Sequence, residues 1–256
     1  MEFNIFDVLI NIFSELVYLP LSLLLGLIGF KLKNMISRSN YIKKLRLNSD
    51  LNKMRCITAN PEVDDEGECV TLGYVFEYMS VGELQSTWSK CFSDLEFNVT
   101  MSSKENTVIP PENLLVIGGP FHNQITRLIL EQFDFPFGWD SDANLTFKTE
   151  TGVDTYSPKL TGFTKQFYGE DYSLVLNIKN PTSPDKRILL IIGCRSIGCL
   201  GGAIFLSKHM NKIKRKGLTD EYAFVVKVSG NEEQLTSDPR LEKVYSLDTQ
   251  SIKKNI

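Results

Sequence analysis

Two glycine-rich turns contain the residues whose types and spacing best suit ligand binding. Gly118-Gly-Pro-Phe-His-Asn123 and Gly193-Cys-Arg-Ser-Ile-Gly198 each follow a short apolar run and precede a helical pattern. Backbone N–H groups at the start of a helix attract a phosphate or carboxylate, and glycine allows the close backbone approach that such binding needs. Arg195, inside the second turn, adds a planar donor for the same anions. The two turns therefore predict a site for a small anionic ligand.

The residues predicted to bind this ligand belong to both turns. They are Gly118, Gly119, Asn123, Gly193, Arg195, Ser196 and Gly198. Neither turn has the Gly-x-Gly-x-x-Gly pattern of dinucleotide sites, and the second lacks the Lys-Ser/Thr pair of a P-loop, so ATP hydrolysis of the P-loop type is not expected. A structural alternative stays open, in which these glycines only make tight connections between strands and helices.

Candidate catalytic side chains are sparser than candidate binding groups. His122 lies in the first turn, just after its glycines, and would form an acid/base pair if it met Asp171 or Glu170. Cys194 and Cys199 flank Arg195 near a helix start, where a thiolate would be stabilised, although thiols at such places usually only pack. The five cysteines and two histidines have no paired metal-ligand spacing, so we expect no metal and no cofactor.

The apolar patterns around the turns predict an α/β domain with a mixed sheet. Predicted strands are at 95–100, 113–117, 145–149, 172–178, 187–192 and 221–228, and predicted helices are at 71–92, 123–132 and 203–216. The connection at 180–186 is too short for a parallel crossover, so the strands on either side of it should pair antiparallel. The strand, glycine turn and helix arrangement occurs twice, and open α/β sheets bind ligands at the carboxyl ends of such strands.

The amino-terminal segment predicts a transmembrane helix. Residues 16–30 carry no charge, and several basic residues follow at once: Lys31, Lys33, Arg38, Lys43, Lys44 and Arg46. Counted from Ile5, the 26 residues would form a helix about 39 Å long, enough to span a hydrocarbon core of about 30 Å. Because the basic side stays in the cytoplasm, we expect a single-pass anchor in the inner (plasma) membrane with the carboxyl-terminal domain cytoplasmic. A buried or interfacial helix is the alternative.

Polar residues interrupt the first half of this segment at regular spacing. Asp7, Asn11 and Glu15 are four residues apart, so a helix would carry them on one face. Polar groups in a membrane usually face partner helices or water, which predicts a homo-oligomer formed through this stripe. Alternatively, residues 1–15 lie at the interface as an amphipathic helix and only 16–30 are embedded.

Composition and charge predict how the rest of the chain is organised. The predicted parts are a membrane anchor at 1–32, a basic and then acidic linker at 33–68, an α/β ligand-binding domain at 69–230 and a polar tail at 231–256. The formal net charge of −3 does not suggest nucleic-acid binding. The basic cluster after the anchor is better explained by acidic lipid headgroups.

At Gly118–Asn123 and Gly193–Gly198 the chain resembles the Rossmann-like sensor domains that prokaryotic defence and signalling systems couple to membrane segments. The resemblance implies a Rossmann-like, three-layer domain, a nucleotide-type ligand and an output at the membrane, such as antiviral defence. We therefore expect a membrane-anchored sensor or effector. Two alternatives stay open: a membrane-tethered enzyme that cleaves or transfers a nucleotide or sugar group, with His122 and Asp171 as candidate catalysts, and a scaffold without enzymatic activity.

Overall fold

The computed structural model describes most of the chain after residue 52 and a short helical segment before it. The described residues are 23–33, 35–36, 53–59, 71–91, 96–102, 106–140, 142, 144–161, 168–213, 220–231 and 235–247. By its internal contacts the chain divides into two units, Met1–Asn40 and Tyr41–Ile256.

In the first unit, residues 23–33 and 35–36 are helical and exposed. None of the helices in the described ranges is both long and apolar enough to cross a bilayer. The predicted transmembrane helix falls largely outside these ranges, and so does the whole predicted stripe of Asp7, Asn11 and Glu15.

The second unit is built on strands. In chain order they are β1 (Lys53–Thr58), β2 (Glu96–Met101), β3 (Asn113–Ile117), β4 (Phe137–Trp139), β5 (Leu145–Thr149), β6 (Gly152–Tyr156), β7 (Lys159–Thr161), β8 (Tyr168–Asn180), β9 (Ser183–Gly193), β10 (Glu221–Asn231) and β11 (Arg240–Leu247). Eight of them form one sheet in the order β11-β10-β8-β9-β3-β1-β2, with β7 paired to β8, while β4, β5 and β6 form a small antiparallel sheet.

The large sheet is mixed, as predicted. β2, β1, β3 and β9 are parallel, whereas β8 is antiparallel to both of its main neighbours, β9 and β10. The predicted antiparallel pairing across the short connection is confirmed, because β8 and β9 form a hairpin. β10 therefore runs in the same direction as β9, and the carboxyl ends of β1, β3, β9 and β10 lie at one edge of the sheet.

Three α-helices cover the two faces of this sheet: α1 (Thr71–Cys91), α2 (Gln124–Gln132) and α3 (Ser196–Lys208). The alternation of side chains along the strands separates two apolar clusters. Leu115 and Ile117 of β3 point into a cluster with α1 and α3, while Leu114 and Val116 point into a second cluster with α2 and the small sheet. These central strands are buried on both faces, which explains their continuous apolar runs.

A polar network fastens the small sheet to the edge strand β11. The hydroxyl groups of Tyr156 and Tyr245 are 2.6 Å apart, and Tyr245 donates to Asp154 Oδ2 at 2.7 Å. Lys243 Nζ lies 2.6 Å from the same Asp154 oxygen. The Phe147 ring stacks on Tyr245 with 3.6 Å between centroids. The segment between α2 and β8 is thereby held against the sheet by both apolar and charged contacts.

Strands of the large sheet lie beyond both ends of the predicted α/β domain. β1 lies inside the predicted linker, and it is a central strand whose Met54 and Cys56 are buried in the cluster with α1. β11 lies inside the predicted tail and pairs with β10. Neither β1 nor β11 has a long apolar run like that of β9, and each has fewer buried residues than β9.

The start of α3 also differs from the prediction. The helix begins at Ser196 rather than at residue 203, and it ends at Lys208 rather than at residue 216. Glycine is a poor helix former, so Gly201 and Gly202 suggested a turn. They are helical because the helix lies very close to the sheet: a Cβ added at Gly201 would lie 2.7 Å from Val228 Cγ1.

α1 buries only some of the apolar residues that recur at helical spacing in it. Phe76, Leu84 and Trp88 are buried, whereas Val75 and Met79 are 42% and 41% exposed. The helix is apolar on two sides, and hydrophobicity alone does not indicate which side meets the sheet.

Gly201→Ala should destabilise the protein by roughly 1 to 3 kcal/mol, because the new methyl group overlaps a buried β-branched side chain that has no room to move. The free energy of unfolding is measured on the full chain in mild non-ionic detergent, by urea titration and tryptophan fluorescence. Gly82→Ala in α1 is the matched control: a Cβ there meets nothing within 4 Å, so a gain of about 0.4 to 1 kcal/mol is expected. Equal effects of the two changes would contradict close packing at Gly201.

Candidate functional site

The two glycine turns lie side by side in the large sheet, at the carboxyl ends of β3 and β9. β3 and β9 are adjacent and parallel, with Ile117 paired to Ile191, and the Gly118 N–H donates to the Ile191 carbonyl at 3.0 Å. The helix after β3 covers one face of the sheet and the helix after β9 covers the other. Adjacent parallel strands whose helices leave to opposite faces create a crevice at their carboxyl ends.

The side chain of Asn123 holds the first turn in place by hydrogen bonds to the backbone. Its Oδ1 accepts from the N–H groups of Ile125 and Thr126, and its Nδ2 donates to the carbonyls of Ile57 and Ile117. The side chain is fully buried, and it caps α2. Because Asn123 joins the ends of β1 and β3 to the start of α2, its observed role is structural.

Gly118 is held in a conformation that other residues rarely adopt. Its φ is +114°, and a Cβ at this position would lie 2.6 Å from Glu77 Oε1. Glu77 of α1 is buried and its Oε2 accepts from the Ala59 N–H at 3.1 Å. Burial raises the pKa of Glu77 to about 7, while the Ala59 hydrogen bond acts in the opposite direction. A carboxyl group therefore lies at the ends of β1 and β3, just behind the first turn.

Asp171 fills the amino end of α3. Its carboxylate accepts from the backbone N–H groups of Tyr172 at 2.8 Å, Arg195 at 3.1 Å and Gly198 at 2.6 Å. Asp171 reaches this position because β8 is antiparallel to β9, which brings the start of β8 to the carboxyl edge. Two of the N–H groups suited to a bound anion thus already hold a carboxylate of the protein itself. Burial raises the pKa of Asp171 to about 7, and the three hydrogen bonds lower it.

The two carboxyl groups considered as acid/base partners of His122 have other partners in the structure. The partners of Asp171 are backbone N–H groups, while His122 is exposed in the first turn. Glu170 is ion-paired with Lys227 at 2.6 Å. Each carboxyl considered for His122 is therefore engaged with another group, and the enzyme alternative gains no support from this arrangement.

The two cysteines of the second turn favour packing. Cys199 is buried, and its Sγ accepts from the Gly193 N–H at 3.2 Å. Burial raises the pKa of Cys194 to about 12 and raises that of Cys199 well above its ordinary value. Both thiols therefore stay protonated at neutral pH, which is unfavourable for a nucleophile. Within the ranges that the structure describes, no group of three or more His, Cys, Asp or Glu side chains could hold a metal ion.

The outer surface of the two turns is open to solvent. Phe121, His122, Arg127 and Arg195 are exposed there, and Ser196 is partly exposed. Arg127 is anchored, because its Nε and one terminal nitrogen both donate to the Pro120 carbonyl at 3.2 Å. The exposed surface thus combines two guanidinium groups, an imidazole and an aromatic ring. This surface suits an anion better than the buried carboxyl groups behind it.

Comparisons with known proteins add nothing to this description. No model of a known protein family matches the chain, and a search of curated proteins found no match. The resemblance to membrane-coupled sensor domains therefore stays a prediction, and function has to be argued from the site.

Glu77 is the site residue that sequence reasoning missed. It lies four residues before Val81 and seven before Leu84, both of which are buried, so it shares a helix face with them. An acidic residue at helical spacing with apolar ones was the available signal. This signal was hard to recognise because the apolar Val75 and Met79 suggested that a different face of the helix is buried.

The buried carboxyl groups predict that stability decreases as pH rises. In the unfolded chain such groups have a pKa near 4, while Glu77 and Asp171 have values of about 7 in the folded protein. The folded state therefore holds extra protons between these values. The stabilisation is complete below about pH 4 and is lost as pH rises through about 7. Carboxyl groups with lowered pKa values, such as the half-buried Asp154, contribute stability that is lost only at lower pH.

Glu77→Gln should remove part of this pH dependence, because the amide is neutral at every pH and keeps an oxygen for the Ala59 N–H. Urea unfolding of the full chain in detergent at pH 5 and pH 8 is the measurement. The loss of stability between these two values should shrink by roughly 1 to 3 kcal/mol in the variant. Glu131→Gln, on the exposed side of α2, is the control and should leave the loss unchanged. An equal loss in Glu77→Gln would mean that Glu77 ionises normally.

Proposed function

We propose that this chain is a membrane-anchored cytoplasmic sensor or effector that binds a small anionic ligand of nucleotide type and acts through its membrane segments. The observation that carries the proposal is the position of the two glycine turns. They follow adjacent parallel strands whose helices cover opposite faces of the sheet. Open α/β sheets bind their ligands at such a crevice.

The ligand would contact the outer surface of the turns. Gly118, Asn123 and Gly198 are buried and shape the crevice, whereas Gly119, Arg195 and Ser196 are at least partly accessible. The exposed Arg195 guanidinium offers paired donors to a phosphate. Buried Asp171 and Glu77 favour a ligand that stays outside the helix ends, since anions repel each other at short range.

Membrane anchoring is supported by the exposed helix in the first unit. Its large apolar side chains are between 46% and 62% exposed: Leu23, Leu24, Leu25, Leu27, Ile28, Phe30, Leu32, Met35 and Ile36. An apolar surface of this kind is unfavourable in water and indicates contact with lipid or another protein. The basic residues that follow residue 30 support contact with acidic headgroups and the proposed cytoplasmic orientation. Ligand binding would change the oligomeric packing of these segments only if the two packing states bind it with different affinity.

Nucleotide binding is the first test of this proposal. The full chain in detergent is examined by native mass spectrometry and calorimetry with AMP, cyclic AMP, cyclic di-AMP and ATP. We expect one bound molecule per site, and we expect Arg195→Ala to weaken it about 10-fold or more, because a charge-assisted hydrogen bond is lost. Lys186→Ala removes a positive charge from the β8–β9 hairpin at the opposite edge and should leave affinity unchanged.

The absence of any adduct at millimolar concentration would contradict the sensor proposal and favour the scaffold alternative. Turnover of a bound nucleotide would favour the enzyme alternative. Equal weakening by both variants would indicate a nonspecific effect of charge rather than a site at Arg195.

The role of the polar stripe is tested separately. Asp7→Asn combined with Glu15→Gln should abolish ligand-dependent leakage from dye-filled vesicles that contain the full chain, because the charges that favour a wet or oligomeric packing are gone. The variant should still bind AMP, since the stripe lies outside the α/β domain. Asp142→Asn combined with Glu131→Gln, two exposed carboxyls of that domain, is the control and should retain leakage. If the double variant caused as much leakage as the unchanged protein, the stripe would have no role in the proposed mechanism.

A further inference from the structure

Phe121 is displayed at the tip of the first turn. Its side chain is 78% exposed, more than any other large apolar side chain in the described ranges. An exposed phenylalanine ring is unfavourable in water, since apolar surface gains free energy by burial. Nothing about the local chain requires an aromatic residue at this position.

The turn that carries Phe121 is held rigidly. The N–H groups of His122 and Asn123 both donate to the Gly119 carbonyl, at 3.3 and 3.0 Å. The Arg127 guanidinium also donates two hydrogen bonds of 3.2 Å to the Pro120 carbonyl. The backbone on either side of Phe121 is thus fixed. Its ring is presented at low entropic cost, a condition that favours binding.

Phe121 and Arg195 lie on adjacent turns, each the same number of residues beyond one of two paired strand residues. Phe121 lies four residues beyond Ile117, and Arg195 lies four residues beyond Ile191, which is the partner of Ile117 in the sheet. Adjacent strands are about 4.8 Å apart, so the two turns begin at one place on the carboxyl edge. An exposed aromatic ring and an exposed guanidinium therefore flank the same seam.

We propose that Phe121 stacks on the base of a nucleotide whose phosphate is bound by Arg195, so that the site selects phosphates that carry a planar ring. This proposal rests on the proposed function and adds the residue that would recognise the base of the ligand. Aromatic side chains stack on bases with little dependence on sequence, while a guanidinium binds the phosphate. The Phe121 ring is thereby buried only when the nucleotide is bound.

The test compares AMP with ribose 5-phosphate, which has the same sugar and phosphate without the base. Affinities of both are measured by calorimetry on the full chain in detergent. AMP should bind about 10-fold or more tightly than ribose 5-phosphate. Phe121→Ala should remove this difference by weakening AMP alone, whereas Arg195→Ala should weaken both compounds.

Two further variants separate stacking from simple apolar contact. Phe121→Trp should keep or strengthen AMP binding, while Phe121→Leu, which is apolar without an aromatic face, should bind AMP as weakly as Phe121→Ala. Val153→Ala, at an exposed apolar position of the small sheet, is the control and should change neither affinity.

The stacking proposal is overturned if AMP and ribose 5-phosphate bind the unchanged chain equally, or if Phe121→Ala weakens both to the same extent. AMP binding that depends on Arg195 and not on Phe121 would overturn stacking alone and leave the proposed function standing. Failure of AMP to bind the unchanged chain would overturn stacking whether or not another nucleotide of the panel binds.

Discussion

The carboxylate of Asp171 is the interaction on which the rest of the carboxyl edge depends. It accepts hydrogen bonds from its own strand and from the first turn of α3, so it fixes the end of β9 and the start of the helix together. α3 can then lie close enough to the sheet for its glycines to be required. Because an internal carboxylate already satisfies these donors, the helix end is stable without any ligand.

The two turns differ in the side chain that accepts hydrogen bonds from their backbone N–H groups, and this difference defines the crevice. A neutral amide, Asn123, serves the first turn, while an acidic group serves the second. Glu77 adds a further buried carboxyl between the ends of β1 and β3. The inner wall of the crevice is therefore acidic and its outer rim is basic and aromatic. An anion would be drawn to the rim and kept from the wall, which would make binding shallow and release easy.

Local signals made the turns and their strands predictable, and long-range packing explains the rest. β3, the cap at Asn123 and the β8–β9 hairpin follow from apolar runs bounded by glycine, proline and asparagine. The start of α3 was not predictable, because the glycines near its beginning are helical only as a result of packing against the sheet. Asp171 lies 24 residues from Arg195, and only the antiparallel course of β8 brings them together. β1 has a mixed composition and is a strand because its neighbours cover it.

The pairing of β3 with β9 joins residues that are far apart in the chain, since Leu114 and Ile188 are in register. The β8–β9 hairpin on one side of this pairing closes a loop of a few residues, whereas the parallel seam must close a loop of more than seventy. Loop closure of that length delays pairing in folding. The crevice lies across this seam, so we expect it to be assembled after the hairpin and to exist only in the fully paired sheet. Under the proposed function, a nascent or partly unfolded chain would then be unable to respond to ligand.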